Sequence, residues 1–245
     1  MKQVGYDDGI LEQLGGSPSQ TKAYINSIWT HLQMYFCHPS LGSKVFIERL
    51  PGIKHYSGMN LRADEASNER MYHNTANDLN GADLMLYMGY DWMGGGASGR
   101  VAEIGVVCRN DSDWLKQSIN CYDTDINFMG YLLAHEVGHN LGMSHDFSSD
   151  HGGIGGPCDK KTIMSYDGPK NHWSECSVND FTEHYNKYKN NWCLPGIHTI
   201  MNVLYDTHIY FQAHNSSFLN NTQIKFICFT HHSIEMNSPL RKKNS

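Results

Sequence analysis

One twelve-residue stretch, HEVGHNLGMSHD at positions 135–146, constrains this chain more than any other. His135 and His139 are four residues apart, so on a helix they project from the same face, one turn apart. Gly142 permits the left-handed backbone with which a chain leaves a helix, and the turn after it returns His145 to the same side. The spacing therefore predicts three imidazole nitrogens that converge on a single metal ion.

The chemistry of these residue types points to hydrolysis. Three neutral nitrogen ligands leave a fourth position open for water, which is typical of a catalytic zinc rather than a structural one. Glu136 is expected to act as general base, taking a proton from the zinc-activated water and passing it to the leaving amine. Zinc would also stabilise the developing oxyanion. The pattern predicts peptide hydrolysis without a covalent intermediate, with one zinc ion bound by His135, His139 and His145.

A simpler alternative is a helix with solvated histidines, in a chain that contains 15 of them. That alternative explains neither Glu136 nor Gly142. The pattern H-E-x-x-H-x-x-G-x-x-H fixes five positions, and a random match is on the order of one in several thousand. We therefore favour the metal site.

Composition excludes several classes of function. The chain has 245 residues, of which 40% are hydrophobic, enough for a full core in one large domain or two small ones. A formal charge of −6 argues against nucleic acid as the main partner. The sequence has no apolar run long enough to cross a bilayer. Its first residues, MKQVGYDDGI, lack the apolar stretch of a signal peptide.

The cysteines indicate secretion. Seven are present, widely spaced and without CxxC pairs, which suits disulfides in a secreted protein better than a cysteine-built zinc site. Buried thiols in a cytosolic protein are the alternative. Sequons at Asn110, Asn215 and Asn220 are compatible with secretion. We expect a secreted, extracellular protein, present here as a mature or truncated chain from a longer precursor.

Hydrophobic periodicity predicts alternating helices and strands. Helices are predicted after Ser17 or Ser19 as a cap, in 63–79, in 126–142 after Asp125 or Asn127 as a cap, and in 178–191. Strands are predicted in 43–50, 82–90 and 101–108. This alternation implies an α/β fold in which a sheet carries helices on its faces.

The motif with its glycine and third histidine resembles that of the metzincin metalloproteases. A second hallmark of metzincins is a methionine turn beneath the zinc, and TIMSYDG at 162–168 supplies Met164, 19 residues after His145. The resemblance implies that Met164 forms an apolar floor under the three imidazoles and does not bind zinc. Without the resemblance, a lone methionine is more often core filler.

Within the metzincins the chain resembles the adamalysin (reprolysin, ADAM-like) family, because Asp146 directly follows the third histidine. The segment GRVAEIGVVC at 99–108 resembles the family's edge strand, beside which a peptide substrate binds as an added strand. Short loops and the Met-Ser-Tyr turn are similar to arthropod venom metalloproteases. The resemblance covers roughly 20–195. It implies a zincin-like fold: a twisted, mixed, mostly parallel sheet with flanking helices, and a zinc cleft between a larger N-terminal and a smaller C-terminal subdomain.

Cysteine pairing is implied by the same resemblance rather than by spacing. The implied disulfides are Cys108–Cys193 and Cys158–Cys176. Cys37 and Cys121 have no counterpart in the family, and an extra bridge between them is a separate expectation that leaves Cys228 as the odd thiol. The family's calcium site is not carried over, because Asn80, Pro195 and Gly196 occupy positions where its ligands are expected.

Two further features depart from the adamalysin pattern. The family's first strand should already be ending where this chain begins, so we expect it to be lost or badly shortened and its neighbour to be unpaired. Tyr166 is typical of astacins and serralysins, in which this tyrosine reaches the zinc or the oxyanion; packing is its alternative role. Asp146 argues against a full assignment to those families.

The domain organisation follows from where the resemblance ends. We expect a metalloprotease domain in 1–196 and a poorly ordered extension in 197–245, whose single cysteine excludes a disintegrin domain. The leading hypothesis is a monomeric secreted zinc endopeptidase that acts on protein or peptide substrates. Rival hypotheses are a catalytically impaired protease-like binding module, an astacin-like or serralysin-like metzincin, and a purely structural zinc protein.

Overall fold

The computed structural model describes residues 2–42, 45, 47, 49–59, 82–89, 100–109, 116–158, 161–165 and 171–188. Within this part of the chain the strands are β1 (Lys2–Asp7), β2 (Arg49–Tyr56), β3 (Leu84–Gly89), β4 (Arg100–Ala102) and β5 (Gln117–Cys121). The α-helices are α1 (Asp8–Gln13), α2 (Pro18–Phe36), α3 (Ile126–Asn140) and α4 (Glu175–Tyr188). Short 3₁₀ turns cover Pro39–Leu41 and Ser149–His151.

The strands form one mixed sheet in the order β2-β1-β3-β5-β4. The first four in this order pair in parallel, and β4 runs antiparallel to β5 at one edge. All six residues of β3 are buried, as expected for a parallel strand covered on both faces. The predicted α/β fold with a mostly parallel sheet and flanking helices is confirmed, as is the strand predicted in 82–90.

The first strand is present between β2 and β3. Val4 and Tyr6 are each 1% exposed and point into the main core. The Asp7 carboxylate accepts a hydrogen bond from the Ile10 amide at 2.9 Å and so begins α1. The expectation that this strand is lost or badly shortened, leaving an unpaired neighbour, is wrong, because β1 pairs on both sides.

Two other strand predictions were shifted. The strand predicted in 43–50 begins only at Arg49, and its pairing with β1 continues to Tyr56. The strand predicted in 101–108 ends at Ala102. Beyond it the backbone donors turn towards the end of α3 instead of a neighbouring strand. In both cases the register depends on a distant partner that local periodicity does not reveal.

Helices α2 and α3 pack together on one face of the sheet. Ser17 caps α2 by accepting from the Gln20 amide, which confirms one of its two predicted caps. Gly130 allows the helices to approach closely, since a Cβ there would lie 2.3 Å from the Cβ of His31. The helix that carries the histidine motif is therefore fixed against the centre of the molecule.

The other face of the sheet carries a smaller cluster of buried residues, namely Met85, Tyr87, Ile119 and Cys121. Cys121 is a buried, reduced thiol, whereas Cys37 is disulfide-bonded. Because Cys37 ends α2 on the opposite face, the predicted Cys37–Cys121 bridge is wrong.

The remaining disulfide predictions have different outcomes. Cys158 and Cys176 form the implied bridge, with Cα atoms 6.0 Å apart. Cys108 is disulfide-bonded, but Cys193 lies outside the described residues. The predictions made for 63–79, Asn80, Tyr166, the three sequons, Cys228 and the extension 197–245 also lie outside them. Among the helices described, the structure contains none whose length and apolar character would allow it to cross a bilayer.

Candidate metal centre

Helix α3 supplies two of the three predicted ligands. Asp125 caps it by accepting from the amides of Asn127 and Phe128 at 2.9 and 3.2 Å, which selects Asp125 from the two predicted caps. His135 and His139 lie one turn apart and are 1% and 6% exposed. Their rings face each other edge-on, with centroids 4.7 Å apart.

The end of α3 turns the chain back towards these two rings. Gly142 has φ +97°, its amide donates to the His139 carbonyl at 2.8 Å, and the Met143 amide donates to the Gly138 carbonyl at 3.0 Å. These two bonds form a Schellman motif, which satisfies carbonyls left free at a helix end. The predicted role of Gly142 as helix terminator is confirmed, and the reversed chain carries His145 to the other rings.

The three predicted ligands converge. Their Nε2 atoms are 3.1 Å apart for His135–His139, 3.2 Å for His135–His145 and 3.2 Å for His139–His145. We refer to these residues as the three-histidine group. In tetrahedral zinc sites with bonds of about 2.0–2.1 Å, ligand nitrogens lie about 3.3–3.4 Å apart. The observed triangle is close to that spacing.

The tautomers of two rings also suit a cation. His135 Nδ1 donates to the Ile163 carbonyl at 2.7 Å, and His139 Nδ1 donates to the Met143 carbonyl at 2.8 Å. With Nδ1 carrying the proton, each neutral ring keeps its lone pair on Nε2. Two lone pairs this close repel each other unless a cation lies between them. The donor set therefore fits zinc, for which imidazole nitrogen is a preferred ligand.

Met164 lies in the predicted turn and is fully buried. The turn is closed by hydrogen bonds from the Ser165 amide and hydroxyl to the Thr162 carbonyl, at 3.1 and 2.9 Å. The Met164 sulfur packs against α3, where a Cβ on Gly138 would lie 2.8 Å from it. The carbonyl of Ile163, the residue before Met164, accepts from His135, so this turn orients one member of the three-histidine group.

Asp146 joins the histidine motif to two other segments. Its carboxylate is fully buried and accepts hydrogen bonds from the hydroxyls of Thr162, Ser174 and Ser177, the last at 3.2 Å. Its amide donates to the Met164 carbonyl at 3.0 Å. One carboxylate thereby ties the chain after the third histidine to the methionine turn and to the start of α4.

The backbone around His145 is held from α4. Asp180 accepts from the Ser144 amide at 2.8 Å and contacts His151 Nε2 at 3.1 Å, while His151 Nδ1 donates to the His145 carbonyl at 3.0 Å. Burial lowers the pKa of His151, but the hydrogen bond and charge of Asp180, the bond to the His145 carbonyl and the charge of Asp146 together raise the pKa above its usual value.

The segment after β4 is fastened to the end of α3. The side-chain amide of Asn140 donates to the Glu103 carbonyl at 3.0 Å. The Gly105 amide donates to the His139 carbonyl at 2.8 Å, and the Val107 amide donates to the Asn140 carbonyl at 3.1 Å. These three hydrogen bonds join the segment that follows the edge strand β4 to the end of the helix that bears His135 and His139.

His184 of α4 contacts both the segment after β4 and the end of α3. Its Nε2 donates to the Val107 carbonyl at 2.9 Å. Burial lowers the pKa of His184; the bond to Val107 raises it, and the positive charges of Lys187 and Arg109 lower it further. The His184 side chain packs against Gly142, which brings α4 into contact with the helix end.

Of the two predicted catalytic residues, Glu136 lies within the described part of the chain and Tyr166 lies outside it. Glu136 is 3% exposed on α3, directly after His135. Sequence reasoning missed the positions of Asp180 and His151, because Asp180 is 36 residues from the amide it accepts from. In the sequence, only their residue types, a carboxylic acid and a histidine, pointed to a role, and a residue type does not specify a partner.

Known proteins resemble this chain in sequence and in fold. A family model described as Reprolysin (M12B) family zinc metalloprotease matches residues 72–196, just over half of the 245 residues. The chain belongs to this family. The predicted resemblance to a reprolysin-type metzincin is therefore confirmed, and the matched range of this reprolysin includes the three-histidine group, Glu136 and Met164.

Two solved structures are similar to this reprolysin. Metalloproteinase-II from Bacteroides fragilis is 19% identical over 75% of this chain and 52% of that chain, with a TM-score of 0.47. A chain in the structure of a chaperone–substrate complex is 16% identical over 75% of this chain and 34% of that chain, with a TM-score of 0.43. The reprolysin chain thus spans about half the length of the first and a third of the second.

Gly142→Ala is expected to lower the free energy of unfolding by about 2–5 kcal/mol. A left-handed backbone costs a non-glycine residue about 1–2 kcal/mol, and overpacking adds about 1–3 kcal/mol. Here the new Cβ would lie 2.7 Å from the Cβ of His184. Urea unfolding of the chelator-treated protein measures the loss.

Gly153→Ala is the matched control for this substitution. Gly153 also has positive φ, +76°, but an added Cβ would meet nothing within 4 Å. We expect a loss of only about 1–2 kcal/mol. Equal losses in the two variants would contradict the close approach of α4 to the helix end.

Proposed function

We propose that this reprolysin is a secreted zinc-dependent endopeptidase, with its catalytic domain in 1–196. The observation that carries the proposal is the convergence of three Nε2 atoms within 3.1–3.2 Å of one another. The Nδ1 protons of His135 and His139 are held by backbone carbonyls, which leaves lone pairs directed at one point. His135, His139 and His145 would hold a single zinc ion.

Bound zinc supplies Lewis-acid activation of water and of the scissile carbonyl. Glu136 acts as general base: its carboxylate takes a proton from the attacking water and delivers it to the leaving amine. Its place on α3 directly after His135 supports this role, because it lies in the same turn of the helix as a proposed ligand. The remaining residues position the ligands and the substrate.

Three further roles complete the proposed site. Met164, packed beneath α3 against Gly138, forms the apolar floor and does not bind zinc. Tyr166 donates a hydrogen bond to the oxyanion in the transition state. The substrate lies extended beside β4, the antiparallel strand at the edge of the described sheet, and forms main-chain hydrogen bonds with it.

Secretion is proposed from the cysteines. Cys158 and Cys176 form a disulfide, and Cys37 and Cys108 are also disulfide-bonded. Disulfides of this kind persist in oxidising, extracellular compartments. We also propose that the protein acts as a monomer on protein or peptide substrates, and that it is a venom-type enzyme similar to those of arthropods.

Metal dependence tests the proposal directly. The purified full chain is expected to contain one zinc per molecule by elemental analysis and to cleave casein in a zymogram. Treatment with 1,10-phenanthroline should abolish cleavage, and added zinc should restore it, because the metal is required for water activation. A protein that binds zinc yet shows no chelator-sensitive cleavage would instead be a binding module built on a protease fold.

A further inference from the structure

His145 differs from the other members of the three-histidine group because it does not lie on α3. It belongs to residues 141–148, which form neither helix nor strand. Its side chain is partly exposed, whereas those of His135 and His139 are buried. Ordering an irregular segment costs conformational entropy, so the position of His145 depends on specific contacts made by its neighbours.

One carboxylate on α4 holds the backbone on both sides of this ligand. On the N-terminal side, Asp180 Oδ2 accepts directly from the Ser144 amide at 2.8 Å. On the C-terminal side, Asp180 Oδ1 accepts a hydrogen bond from His151 Nε2 at 3.1 Å, and His151 Nδ1 donates to the His145 carbonyl at 3.0 Å. The two arms close a ring of contacts around the peptide units that flank the His145 side chain.

The ring of contacts is shielded and well anchored. The side chains of His151 and Asp180 are 8% and 22% exposed, and hydrogen bonds to a carboxylate are stronger than those between neutral groups. Helix α4 is itself fixed near Asp180 by buried Phe181 and by the disulfide of Cys176. Asp180 therefore attaches the segment that carries the third ligand to a helix whose own position is fixed by packing and a disulfide.

We propose that Asp180 and His151 are positioning residues that hold His145 in register with His135 and His139, and thereby set how tightly the chain binds zinc. This inference rests on the zinc site proposed above and assigns part of its affinity to residues that do not touch the metal. The His151 imidazole lies behind the His145 backbone, so it acts through that backbone and not as a ligand.

Asp180→Ala is expected to raise the zinc dissociation constant of the full chain by about 10–100-fold, the range typical of residues that orient metal-binding histidines. Competition with a chromophoric zinc chelator at one fixed pH measures the change. The absorption spectrum of the cobalt-substituted protein should also change, because it reports the geometry of the ligands. A His151→Ala and Asp180→Ala double variant should bind zinc no more weakly than the poorer single variant, since both remove the same ring of contacts.

Two comparisons separate positioning from general stability. Glu183→Gln removes an exposed carboxylate from the same helix and should keep the wild-type dissociation constant and cobalt spectrum. Asp180→Asn keeps one oxygen for the Ser144 amide, so its affinity should lie between those of wild type and Asp180→Ala; it carries the test if the alanine variant does not fold. Zinc binding by folded Asp180→Asn equal to that of Glu183→Gln would overturn the inference. A wild-type chain that binds no zinc would instead overturn the proposed function.

Discussion

Glu136→Gln is expected to lower kcat/KM for peptide hydrolysis by about 10²–10⁴-fold while the zinc content stays at the wild-type level. Glutamine keeps the size and most of the polarity of the buried side chain but does not accept a proton at neutral pH, and general-base catalysis contributes a factor of this size. The three-histidine group is unchanged, so the metal remains bound. Initial rates on a fluorogenic peptide and elemental analysis of the same samples measure both quantities.

Glu12→Gln is the matched control, because Glu12 is an exposed carboxylate on α1. It should retain the wild-type kcat/KM within about a factor of two, because it leaves the three-histidine group and Glu136 unchanged. The fold should also be kept, since exposed substitutions change the free energy of unfolding by about 0.5 kcal/mol or less. Substantial hydrolysis by the Glu136 variant would contradict the general-base role. Loss of zinc from that variant would show instead that Glu136 supports the metal site.

Asp146→Ala is expected to reduce the free energy of unfolding by about 3–5 kcal/mol, because hydrogen bonds to a charged acceptor contribute about 1.5–3 kcal/mol each and do not add fully. The substitution removes the acceptor shared by Thr162, Ser174 and Ser177, and all three hydroxyls are buried. It also separates the methionine turn from the start of α4. Urea unfolding in the presence of a chelator measures the loss without a contribution from zinc.

Asp150→Ala is the control for this substitution. Asp150 is an exposed carboxylate four residues further along the chain, and we expect its replacement to change stability by about 0.5 kcal/mol or less. Asp146→Asn keeps one acceptor oxygen, so its loss should fall between the two. If Asp146→Ala were as stable as Asp150→Ala, the buried carboxylate would not be the link between these segments.

Sequence predicted the elements whose signals are local. The helix bearing His135 and His139 could be predicted with a cap at Asp125 or Asn127 and with its terminator, Gly142, because each acts on backbone within a few residues of itself. The buried strand in 82–90 was predictable for a similar reason. A short apolar run of this length has few other places in a globular fold.

Other predictions were wrong or incomplete because they concern partners distant in sequence. Whether 2–7 forms a strand depends on pairing with β2 and β3, and the start of β2 depends on its register with β1. Cys37 follows α2, which packs on one face of the sheet, whereas Cys121 belongs to the cluster on the other face, and no cysteine spacing indicates this. Family resemblance did better for Cys158 and Cys176, since that pairing is inherited with the fold.

The sequence by itself determined the residues of the candidate metal centre: His135, His139 and Glu136 on one helix, then a glycine that reverses the chain, and then His145. Only the tertiary structure decided which distant residues hold those imidazoles in place, namely the Ile163 carbonyl behind the His135 ring and Asp180, which holds the backbone beside His145 directly and through His151. The physical reason is the distance along the chain between the residues in contact. A helix fixes its side-chain positions through hydrogen bonds within one turn, whereas each supporting contact from the methionine turn or α4 spans many residues and forms only when the segments pack.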